Sequence, residues 1–182
     1  MKAPFLRLLL TAIFVLSASA VFAQHQHTAP KKPLSPPDST EATIGSATIK
    51  INYSSPRVRG RIVWGGLIGF DRIWSAGAHD ATRFSFSSDV TIAGSTIPAG
   101  TYAFFTIPGR EKWTVIINKN YEQHLADDYD EALDVLRFEV TPEELAESKE
   151  ELTYAIEGDG GDNGFISLTW DKLRIRFQVE SK

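Results

Sequence analysis

Apolar and polar side chains alternate with a period of two through most of the chain beyond residue 46. Ala47, Ile49, Ile51 and Tyr53 alternate with Thr48, Lys50 and Asn52, the pattern of a strand with one buried face. Ser54-Ser55-Pro56 closes it. Phe84 and Phe86 mark a second strand, and Val90 and Ile92 a third that runs into Gly94-Ser95. Pro98 and Gly100 supply the fixed φ and the missing Cβ that a tight turn uses. Tyr102, Ala103, Phe104 and Phe105 follow with apolar groups on both faces, so this strand is expected to be central and covered on both sides.

The same alternation continues to the C-terminus. Trp113, Val115 and Ile117 share one face, as do Leu136, Phe138 and Val140. Leu152, Tyr154 and Ile156 read as a strand, "GDGGDNG" as a hairpin loop, and Ile166, Leu168 and Trp170 as the return. Leu173, Ile175, Phe177 and Val179 form a last strand. Two stretches break the pattern. "RVRGRIVWGGLIGF" holds too much glycine for a helix and reads as loop with short irregular strand. "YEQHLADDYDEALD" is acidic and weakly periodic, a solvated loop with a helical turn. Thr141-Pro142-Glu143-Glu144 carries a capping residue, a proline at the first helical position and a glutamate at the third, which predicts a short helix. About eight short strands with regular turns predict an all-β fold: an antiparallel β-sandwich, jelly-roll-like or a partly closed barrel, with at most one or two short helices.

Residues 1–23 stand outside this pattern. Lys2 and Arg7 precede an apolar run from Leu8 to Leu16, too short to span a membrane, and Val21-Phe22-Ala23 offers short side chains where a signal peptidase reads. The expectation is a signal peptide over 1–23, a disordered proline-rich leader over 24–42 and one β-sandwich domain over 43–182. The product is then periplasmic or secreted, with no membrane span. Losing Lys2 and Arg7 moves the formal net charge from −4 to −6, so nucleic acid is not an expected partner. With no cysteine in the chain, thiolate ligands, cysteine nucleophiles and disulfides are excluded and the fold rests on its core.

The stretch "RIWSAGAHDATRFSF", Arg72 to Phe86, carries the densest candidate chemistry. With the arginine segment it assembles Arg57, Arg59, Arg61, Arg72, Trp74, His79, Asp80 and Arg83. Arginine forks bind carboxylate or phosphate at two points, and tryptophan offers a flat face to a sugar ring. The ligand-binding set expected from this is Arg59, Arg61, Trp74, His79, Asp80 and Arg83, for a small anionic molecule or a glycan. The structural alternative is that Arg and Asp pair to tie loops to the sandwich, Gly77 adopts a conformation closed to other residues, and Ala76 and Ala78 permit close packing. Trp113 and Trp170 are in phase with buried strand positions and should have their indole nitrogens hydrogen-bonded, whereas Trp64 and Trp74 sit among loop glycines.

Catalytic readings are less specific. Ser75, His79 and Asp80 hold triad residue types, but triads are assembled from distant segments and no nucleophile-elbow motif is present. A hydrolytic or metal-assisted site would need His79, Asp80 and His124 to converge around an open pocket. Metal-ligating types recur at His25-x-His27, at His124 with Asp127 and Asp128, and at Asp159, Asp162 and Asn163; a solvated tail and a hairpin turn account for the first and last, and no metal is expected. Nothing in the residues singles out a cofactor or an oligomeric state, and a third reading is an envelope structural or protein-interaction domain.

Several strings taken together, "YSSPRVRGR", "IWSAGAHDATRFSFSSDVTIAGSTIPAGTYAFFTIPG", "WTVIINKN" and "YDEALDVLRFEV", resemble the exported bacterial proteins grouped as domain-of-unknown-function family 2911. The resemblance runs from about Thr43 to the C-terminus and implies no particular activity. That family usually has an arginine where Ser75 stands and Asn-Glu where His79-Asp80 stand. Retention of a polar residue followed by a carboxylate implies that hydrogen bonding at Asp80 matters more than the identity of residue 79.

Overall fold

The computed structural model describes residues 33–181. Ten strands form two antiparallel sheets: β1 (Pro37–Ile44), β2 (Ala47–Ser54), β3 (Thr82–Phe86), β4 (Val90–Ile92), β5 (Ser95–Ile97), β6 (Gly100–Pro108), β7 (Trp113–Asn118), β8 (Asp134–Val140), β9 (Glu143–Gly158) and β10 (Asn163–Ser181). The six-stranded sheet has the order β1-β2-β3-β6-β7-β8 and the four-stranded sheet β5-β4-β10-β9. The expected sandwich is therefore present, and it is not closed into a barrel.

The inner faces are those the alternation marks. Ile49, Ile51, Phe84, Phe104, Trp113, Val115 and Ile117 from one sheet meet Leu152, Ile166, Leu168, Trp170, Ile175 and Val179 from the other in one continuous core. The strand β6 is central, as expected, and buried on both faces: Phe104 points into the main core, while Ala103 and Phe105 enter a second, smaller one. That second core lies on the outer face, where Tyr121, Ala126 and Tyr129 pack onto Phe105 and Ile116. The acidic segment 119–133 is thus a roof rather than a purely solvated loop. Its charges face water while its tyrosines face the sheet, and buried Asn118 fastens it by donating from Nδ2 to Asp130 O at 2.9 Å.

Three expectations need correction. Pro37–Ile44 is a strand paired with β2, so the leader reading fails for residues 37–42; an edge strand takes its bonds from the neighbour's backbone and needs no apolar period of its own. Residues 24–32 of that leader and the signal peptide lie outside the described residues. The expected helix at 141–144 is absent, because Glu143 and Glu144 already pair with Arg174 and Leu173 of β10, and the tertiary ladder overrides a local helix-start signal. The only helical turn among the described residues is a 3-10 turn over Glu131–Leu133, capped by Asp130.

The return strand and the last strand, expected as two, are one: β10. Its buried positions shift from even (Ile166, Leu168, Trp170) to odd (Ile175, Phe177, Val179), and the register slips around Asp171, which has φ 50°. A bulge of this kind adds one residue and returns the apolar set to the core face. The hairpin loop at 159–162 is as expected, with Asp159 Oδ1 accepting from Gly161 N at 2.9 Å. Just beyond it, a Cβ on Gly164 would sit 2.2 Å from Ile44 Cδ1 and 2.8 Å from Glu157 O. Gly164→Ala is therefore expected to destabilise the protein by about 1–3 kcal/mol through overpacking, measured as a lower urea midpoint; an unchanged midpoint would show that Ile44 yields freely.

Candidate functional site

The segment from Trp74 to Asp80 is an excursion from the six-stranded sheet that crosses the end of the sandwich. Trp74 extends the ladder beside β6, exchanging two backbone bonds with Thr106 at 2.8 and 2.9 Å. The chain then enters the interior. Ala76, fully buried, takes the left-handed φ of 50° that L-residues rarely adopt. Its carbonyl accepts from Tyr154 Oη at 2.7 Å and from Thr82 Oγ1 at 3.2 Å, two bonds that offset the strain and anchor the excursion to the opposite sheet. Gly77 does not have a positive φ. It is needed for close approach, since a Cβ there would lie 2.7 Å from Thr82 Oγ1.

Trp74 is buried and its indole N–H donates to Gly77 O at 3.2 Å, so the expectation that it offers a flat face to a ligand is corrected. All four tryptophans meet inside the sandwich: Trp64 lies 4.7 Å from Trp113 and 5.8 Å from Trp170, and Trp74 stacks on Trp170 at 5.9 Å. Trp113 and Trp170 are buried as expected, but their indole nitrogens, with that of Trp64, lack hydrogen-bond partners. Edge-on packing of indoles leaves no acceptor in the plane of those N–H bonds.

Past the excursion, His79 is exposed with φ 62°. Asp80 bridges His124 through the backbone, flanked by Leu125 N donating to His79 O at 2.6 Å and Ala81 N donating to Gln123 O at 3.0 Å. Arg83 follows on the outer face of β3, between Asn52 of β2 and Ala103 of β6. Asp38, Ser39, Asn52, Tyr53, Asp80 and Arg83 are among the residues that line an open cleft of about 360 Å³, at the lower end of the range for small-molecule sites.

Two charges of the cleft, Arg83 and Asp80, are unspent. Arg57, Arg137, Arg174 and Arg176 each have a carboxylate partner. Arg83 has none; its guanidinium lies 5.9 Å from the centre of the Tyr121 ring, and its Nε is buried without a partner. Asp80 lines the same cleft without an ion pair or side-chain hydrogen bond. At the cleft's rim Tyr53 donates to Asp38 Oδ2 at 2.9 Å, and burial followed by that carboxylate pushes the Tyr53 hydroxyl up to about 12.

A family model described as a protein of unknown function, DUF2911, matches residues 35–179. The chain belongs to the DUF2911 family. No curated protein and no solved structure matches it. The matched range begins just ahead of β1 and ends two residues short of the end of β10, so the DUF2911 domain takes in nearly all of the sandwich, the excursion and the cleft.

The remaining expected site residues of this DUF2911 chain lie elsewhere. Arg59 Nη2 donates to Leu34 O at 2.7 Å and Arg61 Nε to Val58 O at 3.1 Å. They clamp the loop after β2 and do not line the cleft. Neither histidine lines it: His124 Nδ1 pairs with Asp127 Oδ2 at 2.9 Å. Ser75 is buried with an unpartnered Oγ, so it forms no triad with exposed His79. Among the described residues no three His, Asp or Glu side chains are grouped to hold a metal ion, and no helix is long and apolar enough to cross a membrane. The tyrosine beneath Arg83 escaped the sequence reading. Its only signal is that "YEQHLADDYDEALD" places Tyr121 and Tyr129 in an otherwise acidic run.

Proposed function

We propose that the protein is an exported, non-catalytic binding module that takes a small anionic molecule in the cleft lined by Arg83. The observation that carries this reading is the state of Arg83: a guanidinium in a concavity, its Nε buried and unpartnered, while four other arginines are neutralised by carboxylates. A buried donor left unsatisfied costs about 1–3 kcal/mol. A carboxylate or phosphate approaching the Nη atoms of the arginine fork would be held in two short, charge-assisted bonds. Cation–ring contact with Tyr121 holds the guanidinium in place. Packing of all four tryptophans against one another, with Trp74, Trp113 and Trp170 buried and Trp64 partly so, favours a small anion over a glycan, which binds on exposed aromatic faces. Export rests on the layout of residues 1–23.

Thermal unfolding and calorimetry with inorganic phosphate and small mono- and dicarboxylates test this reading. Saturable binding that Arg83→Gln lowers by at least about tenfold is expected, with the variant's near-ultraviolet circular dichroism unchanged. Absence of binding by every anion, or undiminished binding by the folded variant, would overturn it.

A further inference from the structure

Arg83 does not face the cleft alone. Asp80, three positions earlier, lines the same 360 Å³ space, yet the two side chains do not pair with each other. Opposite charges this close in a chain ordinarily neutralise one another when their side chains can meet. Here both backbones are fixed apart. Asp80 is held on either side by the bonds of residues 79 and 81 to 125 and 123, and Arg83 is locked into the β2-β3-β6 ladder with its guanidinium over Tyr121. The cleft thus keeps Arg83 and Asp80 without an ion pair. Beside them stand Ser39, Asn52 and Ser54 and a second carboxylate, Asp38, which accepts from Tyr53 Oη and from Ser39 N and adds to the negative charge an ammonium would meet.

A purely anionic ligand would satisfy Arg83 and leave the Asp80 carboxylate facing like charge, which costs affinity. A ligand bearing both a carboxylate and an ammonium group meets both. We infer that the cleft recognises a small zwitterion of the amino-acid type, its carboxylate on Arg83 and its ammonium on Asp80. This rests on the anion-binding role of Arg83 and adds the second charge. The volume suits one amino acid or a dipeptide end and is too small for a long peptide.

The test uses the full chain and three probe series measured by calorimetry: the common L-amino acids, the 2-hydroxy acid analogue of each, in which a hydroxyl replaces the ammonium, and the amine of each, which lacks the carboxylate. At least one amino acid is expected to bind about tenfold or more tighter than both of its analogues. Asp80→Asn should remove that preference by weakening the amino acid about tenfold while tightening the hydroxy acid, which no longer meets a like charge, and Arg83→Gln should weaken both. Asp80 is exposed and unbonded, so its variant should fold. If hydroxy acids bind as tightly as amino acids, or Asp80→Asn changes nothing, the zwitterion inference fails while the anion reading stands. If no probe of any series binds, both fail.

Discussion

Trp170→Ala is expected to lower the unfolding free energy by about 3–5 kcal/mol, a large share of the roughly 5–15 kcal/mol that holds a domain of this kind folded. Trp170 is fully buried, stacked on Trp74 at 5.9 Å and edge-on to Trp64 at 5.8 Å. Its loss would leave a void between the two sheets that neither can close without breaking ladder bonds. The unpartnered indole nitrogen sharpens the expectation. Because Trp170 Nε1 has no acceptor, Trp170→Phe sacrifices no hydrogen bond and removes a buried, unsatisfied donor, so its cost should stay below about 2 kcal/mol. Trp74→Phe forfeits the bond to Gly77 O and should cost about 1 kcal/mol more than Trp170→Phe. Urea unfolding at neutral pH measures all three. Equal losses for Trp170→Phe and Trp170→Ala would refute the packing argument.

The second large effect is expected in alkali. Tyr53, Tyr102, Tyr129 and Tyr154 all have hydroxyls raised above the usual value of 10.0, chiefly by burial. Asp38 adds to the rise at Tyr53 and Asp134 at Tyr129. A folded-state value above the unfolded one means that the native protein keeps its phenolic protons where the unfolded chain has released them. The stabilisation is complete below about pH 10 and is lost as pH climbs through the folded values, about 12 for Tyr53. Tyr53 alone accounts for a loss on the order of 2 kcal/mol by that point. The urea midpoint should therefore fall steeply between about pH 10 and 12. Tyr53→Phe should start from a lower midpoint at pH 8, having lost the bond to Asp38, and fall less steeply above pH 10. A flat profile across this range would show that the hydroxyls ionise freely in the native state.

Each candidate for the site illustrates what a local pattern can and cannot carry. Arg83 is legible as an outward charge, since it alternates with Thr82, Phe84 and Phe86 on a strand that buries all three, whereas Asp80 precedes that strand and is legible only as a charged residue in a loop. Arg59 and Arg61 are the same residue type in an equally glycine-rich stretch, yet their guanidinium groups go to backbone carbonyls of their own loop and of Leu34. What separates the two pairs is which neighbours stand within reach, and those neighbours come from β1, β2 and the 119–133 roof. Trp74 misleads for the same reason. Its flanking residues mark a loop, but the loop folds inward because Tyr154, far along the chain, holds the Ala76 carbonyl.

By itself the sequence determined most of the strands, their inward faces and the hairpin at 159–162, because period-two alternation records directly which side chains leave water. It also marked Asp80 and Arg83 as candidate binding residues. The tertiary structure alone decided that β10 is one bulged strand, that Glu143 extends a ladder instead of starting a helix, that four tryptophans share one interior, and that Asp80 and Arg83 face one cleft unpaired. Those outcomes depend on contacts between segments tens of residues apart. Solvent exposure is written into each residue's chemistry, whereas the identity of a distant neighbour is fixed only when the two sheets close on one another.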